Sequence, residues 1–226
     1  MKNLIDIKLI TPHQTRLSDQ LKIVVLTFLA TVIPFALIVL IFKLVVNDTM
    51  DLLTRDPLSI TNAPFYTGLF SNIGILLWCS CAAICLLTYA VVKQNNRYRE
   101  SSKFLLSSGL FTTFIMLDDL FLLHDEVFPQ MGIPENLIYL FYALITILFT
   151  VRTRKFVKKT EFIILSAAVG FLALSLVLDV ISRNEFNNKL EDISKLIGIS
   201  LWLIYFTRLC LRELRSIVRL SSANER

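Results

Sequence analysis

Six apolar stretches, at about residues 22–46, 65–92, 104–124, 136–151, 161–182 and 194–211, each approach the ~20 residues that an α-helix needs to cross about 30 Å of hydrocarbon. A chain of 226 residues divided in this way has almost nothing left for a separate soluble domain. Lipid offers no partner to a free peptide group, so such stretches satisfy their backbones as helices; the alternation expected of a membrane barrel is absent. Composition agrees, since 55% hydrophobic residues and a mean hydropathy of +0.65 are too apolar for an ordinary soluble domain. The expectation is an all-α, polytopic membrane protein: a six-transmembrane-helix bundle over residues 22–211, an N-terminal tail of residues 1–21 and a basic C-terminal tail of residues 212–226.

Orientation follows from the basic residues. Of 23 Lys and Arg, 18 fall in the tail to Lys22, in Lys93–Lys103, in Arg152–Lys159 and in Arg208–Arg226. Only Lys43, Arg55, Arg183, Lys189 and Lys195 fall on the other side. The asymmetry predicts both termini cytoplasmic in a multi-pass plasma-membrane protein of bacterial type. No small-residue cleavage pattern follows the first apolar run, which reads as a retained span rather than a signal peptide. The formal net charge of +5 therefore reports topology. No basic patch interleaved with aromatics points to nucleic acid. Arg212, Arg215 and Arg219 recur along a helical tail and suit anionic lipid headgroups.

Against this background the run Asp118-Asp119-Leu120-Phe121-Leu122-Leu123-His124-Asp125-Glu126 stands out. It closes the third apolar stretch with four carboxylates and the only histidine outside the N-terminal tail. Asp125 and Glu126 sit where water reaches a helix end, before Pro129 and Pro134. Asp118 and Asp119 lie deeper, where an acid costs on the order of 2.5 kcal/mol and is paired, protonated or functional. On a continuous helix Asp118 and Asp125 share one face and Asp119 and Glu126 the next, while His124 points about 140° from Asp119. One ion then takes no two side chains from this helix and must recruit Asp179, Glu191, Asp192 or Asn72. Asp179, about 25 Å up its helix from Phe162, nearly matches Asp118, about 22 Å up from Phe104. Asn72 in the second stretch, with Ser71, and Lys195 in the sixth fall in the same outer slice; a pairing of the deep acids with Lys195 or Arg183 is the structural alternative.

The primary candidates are thus Asp118, Asp119, His124, Asp179 and Asp192, supported by Asn72, Asp125, Glu126, Glu191 and Lys195. They suggest an extracytoplasmic site for a divalent cation, with carboxylates suiting Mg, Ca or Mn and the histidine allowing Zn or Fe. The intramembrane Asp with His resembles the alkaline ceramidase-like membrane hydrolases over this one short motif, without their further histidines or a His-x-x-x-His. That resemblance implies a metal-activated water acting on a lipid-like amide or ester. A protonatable relay in a proton or ion transporter is the second class, although no inverted repeat with broken helices is visible. A non-catalytic assembly or scaffold subunit, whose charges pair with a protein partner or a second copy, is the third. Membrane lipids are the surrounding partner in all three.

Smaller features read as packing. Pro34 predicts a kink in the first span. Cys81 and Cys85 share a helix face that Cys79 does not, which suits small buried residues rather than a thiolate cage. Ser166, Gly170 and Ala173 form a small-residue stripe that predicts close helix approach. Asn47-Asp48-Thr49 matches a glycosylation acceptor by chance.

Overall fold

In a computed structural model the chain is all-helical over the residues it describes, 17–45, 57–64, 66–181 and 185–224. The acceptor-like Asn47-Asp48-Thr49 and Arg183 lie outside these, as do the side chains of Asp125 and Asp179. Residues 1–67 and 68–226 form separate compact units. The first holds α1 (Leu17–Val45), which continues through Pro34, and the short α2 (Pro57–Thr61).

The second unit contains α3 (Leu69–Val92), α4 (Arg99–Phe121), α5 (Glu135–Val157), α6 (Phe162–Ile181) and the long α7 (Glu185–Asn224). Among the described residues three helices are long and apolar enough to cross a membrane: α3, α4 and the Lys189–Arg219 part of α7. Hydropathy alone leads one to expect six. Among the described residues, Phe162–Leu178 and Val32–Ile41 are apolar but shorter, and α5 ends in Arg152, Arg154 and Lys155. The outward faces are nonetheless greasy: Leu76, Leu87, Leu110, Leu140, Ile147 and Ile163 are all exposed, as suits contact with lipid rather than water.

The core lies between α3, α4 and α7. Trp78, Cys81 and Cys85 from α3, Phe104 and Leu105 from α4, and Ile199, Trp202, Tyr205 and Phe206 from α7 are all buried there. Cys79 is exposed, so the face shared by Cys81 and Cys85 is the packed one. Close approach is set by glycines other than those in the expected stripe. A Cβ on Gly109 would come within 2.7 Å of Leu86, and one on Gly198 within 2.8 Å of the Leu172 side chain and 3.1 Å of its backbone nitrogen. Ser166, Gly170 and Ala173 instead point outward, and Leu165, Ala168 and Ser175 are the α6 residues that bury. In lipid a small outward residue carries no solvation penalty, so spacing alone does not reveal which stripe packs.

α5 runs antiparallel to α4 along an aromatic seam. Phe104 lies 4.8 Å from Phe156, and Phe111 stacks on Phe149 at 4.7 Å with 6° between the planes. The rungs advance seven residues along each helix, the repeat that keeps one side of a helix on its neighbour. The next rung is Asp118 with Tyr142.

Candidate functional site

The site begins with a break in α4. Leu122 takes φ 49°, ψ 44°, a left-handed conformation that costs a branched side chain of order 1–3 kcal/mol. Its N–H closes the helix on the Asp118 carbonyl, and Leu123–Val127 then coil in one wide π turn. A straight helix would set Asp118 and His124 about 120° apart. The reversal instead folds His124 back onto Asp118, so the expectation that this segment cannot bring two such side chains together is corrected.

Asp118 is 5% exposed and fully engaged. Its Oδ1 accepts the Tyr142 hydroxyl at 2.5 Å and the His124 backbone N–H at 3.2 Å. Its Oδ2 lies 2.6 Å from His124 Nδ1, with the ring turned off the straight N–H···O line, so the contact is a charge approach rather than a linear hydrogen bond. Two lone pairs at that separation would repel, so one of the groups holds a proton. The Tyr142 ring also meets the His124 ring edge-on, at 6.1 Å and 67°, and Phe114 backs Tyr142 at 5.6 Å.

Asp119 points to the other side of α4, toward α3 and α7. Its Oδ1 accepts Lys195 Nζ at 2.8 Å and its Oδ2 accepts the Trp78 indole N–H at 3.1 Å. The carboxylate side chain is 9% exposed and the lysine 39%, so the pair is asymmetric: a buried anion against a cation that still reaches solvent. Trp78 meets Trp202 edge-on at 5.9 Å, and the Trp202 indole N–H donates to Thr112 on α4, which ties this end of the site into the core.

Two cavities flank these acids. One of about 210 Å³ lies between α4, α5, α6 and α7 and is walled by Asp118, His124, Tyr142, Ser175, Glu191 and Lys195 over an aromatic floor that includes Trp78 and Phe114. A smaller one, about 80 Å³, lies between α3 and α7 and touches Ser71, Asp119, Asp192 and Lys195. Of the residues expected from sequence, Asp118, Asp119, His124, Glu191, Asp192 and Lys195 therefore border one or other of two neighbouring cavities. Asn72 is exposed and lines neither, its neighbour Ser71 taking that place. Glu126 is exposed and accepts Gln130 at 3.1 Å, a solvated helix end. The side chains of Asp125 and Asp179 lie outside the described residues. Among the described residues no three His, Cys, Asp or Glu side chains gather as a metal-ligand group.

Tyr142 and Trp78 were missed from sequence, and a signal for the first existed. Phe104, Phe111 and Asp118 are seven apart, as are Tyr142, Phe149 and Phe156, so pairing the two seams in antiparallel order predicts the contact. No curated protein and no solved structure shows significant similarity to the chain. Residues 24–209, which span α3 to α6 and every cavity-lining residue described above, match one protein family, and the chain belongs to it: the domain of unknown function DUF8692.

Proposed function

We propose that the protein is a multi-pass plasma-membrane protein that binds a small, partly apolar molecule in the 210 Å³ cavity and exchanges a proton there, in the manner of a proton-coupled transporter. In this reading the chain crosses the membrane six times with both termini cytoplasmic, and the Asp118 end faces outward. The observation that carries it is the Asp118–His124–Tyr142 network on the cavity wall. The Asp118 carboxylate, fixed by Tyr142 and by the backbone, favours the proton on Nδ1 of His124. The other ring nitrogen, Nε2, is then the atom that takes a proton from the outer solution and returns it. Asp118 balances the imidazolium while it lasts. A ligand with a polar end can meet His124, Ser175 and Lys195, and its apolar part the aromatic floor.

The proton reading is preferred over the divalent-cation one because each deep acid already has its partners. A cation would have to displace Lys195 from Asp119 or His124 from Asp118, and the desolvation of a further charge is expensive at this depth. The test is a thermal melt of the purified, chelator-treated protein across pH, with and without Mg, Ca, Mn or Zn. A melting temperature that varies with pH in wild type, varies less in Asp118→Asn and ignores all four ions supports the proposal. Stabilisation by one of the ions that disappears in Asp118→Asn would restore the cation reading. Reporters fused after Asn96, Lys155 and Arg226 should read cytoplasmic, and those after Asp56, Gly132 and Asn187 external; any reversal defeats the orientation.

A further inference from the structure

The far end of α7 carries a second polar construction that the proton site does not use. Arg208, Arg212, Arg215 and Arg219 follow at spacings of four, three and four, which puts them on one helical face. With Thr160 and Glu161, at the start of α6, they wall a pocket of about 670 Å³ over Tyr205, Leu209 and Leu211. Glu161 is the one carboxylate among the described lining residues, and it is taken. Arg208 grips Glu161 through two bonds, Nε at 2.6 Å and an Nη at 2.5 Å, and holds its carboxyl below the ordinary glutamate range.

The helix that presents this face is anchored by polar contacts to α4 and the turn before it. Glu213, buried at this end, accepts Ser101 at 3.2 Å and is touched by Arg212 at 3.2 Å, and Ser216 shares a 2.7 Å hydroxyl contact with Tyr98. Tyr205 in the floor is fixed by Thr160 at 2.7 Å. Arg215 makes no hydrogen bond or ion pair among the described residues and is exposed on the pocket wall.

We infer that this arginine-walled pocket binds the phosphate of an anionic lipid headgroup. Planar guanidinium forks suit phosphate oxygens in pairs. Leu211 beside them continues the exposed apolar stripe of Ile197 and Ile204 on α7, so a molecule whose phosphate sits among the arginines has its acyl chains on greasy surface. That combination favours a lipid over free phosphate, and basic pockets between membrane helices are a recurrent headgroup site.

The experiment uses the full-length protein in phosphatidylcholine nanodiscs titrated with phosphatidylglycerol, with bound lipid counted by native mass spectrometry. Each arginine near an anionic surface is worth about 1 kcal/mol, so Arg212→Gln with Arg215→Gln should weaken phosphatidylglycerol binding about 30-fold. Arg215→Gln alone, which breaks no contact, should show part of that loss with an unchanged melting temperature. Arg154→Gln with Lys158→Gln, which removes the same charge from the end of α5, should leave binding as in wild type. Equal retention of phosphatidylcholine and phosphatidylglycerol would overturn the inference, as would an equal loss in the α5 control. Inorganic phosphate that stabilises the lipid-free protein as much as phosphatidylglycerol does would overturn the lipid assignment in favour of a free anion.

Discussion

Asp119→Asn and Lys195→Met break one contact from opposite sides, and the burial asymmetry decides which hurts more. Removing one partner of a buried pair typically costs 3–5 kcal/mol, because the other charge stays behind without compensation. Lys195 is 39% exposed, so when Asp119 becomes Asn the ammonium swings to water on its long stem and the loss shrinks toward that of a surface pair. Asparagine also still offers an oxygen to the Trp78 indole. We expect about 1–2 kcal/mol for Asp119→Asn. Lys195→Met leaves Asp119, 9% exposed, with the indole as its one described hydrogen-bond donor, and the expected loss is about 3 kcal/mol. The assay is equilibrium unfolding in detergent followed by tryptophan emission, which reads this pair directly because Trp78 is one of only two tryptophans. The double variant should recover part of the lysine loss, since no orphaned anion remains. Asp119→Asn costing as much as Lys195→Met, or more, would contradict the burial asymmetry; so would a gain in stability on Asp119→Asn, which would mean the carboxylates repel each other in the native state.

Three further outcomes follow from the geometry. Tyr142→Phe removes a short charge-assisted hydrogen bond to Asp118 and should cost about 1.5–3 kcal/mol in the same unfolding assay, with the α4–α5 aromatic seam intact. Gly198→Ala drives a methyl into Leu172 and should destabilise by about 1–3 kcal/mol, whereas Gly170→Ala, which meets nothing within 4 Å, should be neutral or stabilise by up to about 1 kcal/mol; paired thermal melts decide. The Arg208 bonds lower the Glu161 carboxyl from its ordinary value of 4.5, so the pair contributes above that pH and is lost as pH falls through the lowered value. The melting-temperature difference between wild type and Glu161→Gln should therefore be present at neutral pH and vanish on acidification.

The helical class was legible because hydrophobicity needs no tertiary context: an apolar run of span length is a helix in lipid whatever it packs against. The Asp119–Lys195 pair was legible too, since a deep acid seeks the nearest cation and few cations lie at that end. The Asp118–His124 contact was not. It depends on one left-handed residue, Leu122, and no residue type there announces it, because leucine is a poor choice for that conformation and no glycine or asparagine marks the turn. The packing stripe on α6 was misread for a related reason: small residues permit close approach but do not say where a neighbour is. Gly198, where an added Cβ would come within 2.8 Å of Leu172, marks the approach of α6 and α7 instead. The Asp118–Tyr142 rung was written in the seven-residue spacing of two phenylalanine pairs and needed only the two seams to be set side by side.

The position of the proton between Asp118 and His124 is measured by ¹⁵N NMR of histidine-labelled protein. His13 is the only other histidine, so His13→Gln leaves His124 as the single reporter. The expected result is an Nδ1–H tautomer in the neutral ring, an Nε2 resonance that moves with pH as the ring charges, and no change on adding divalent cations. In Asp118→Asn the side-chain amide becomes the donor and the tautomer should switch to Nε2–H. An Nε2–H tautomer in the wild-type ring, or an Nδ1 resonance displaced by a divalent cation, would contradict it.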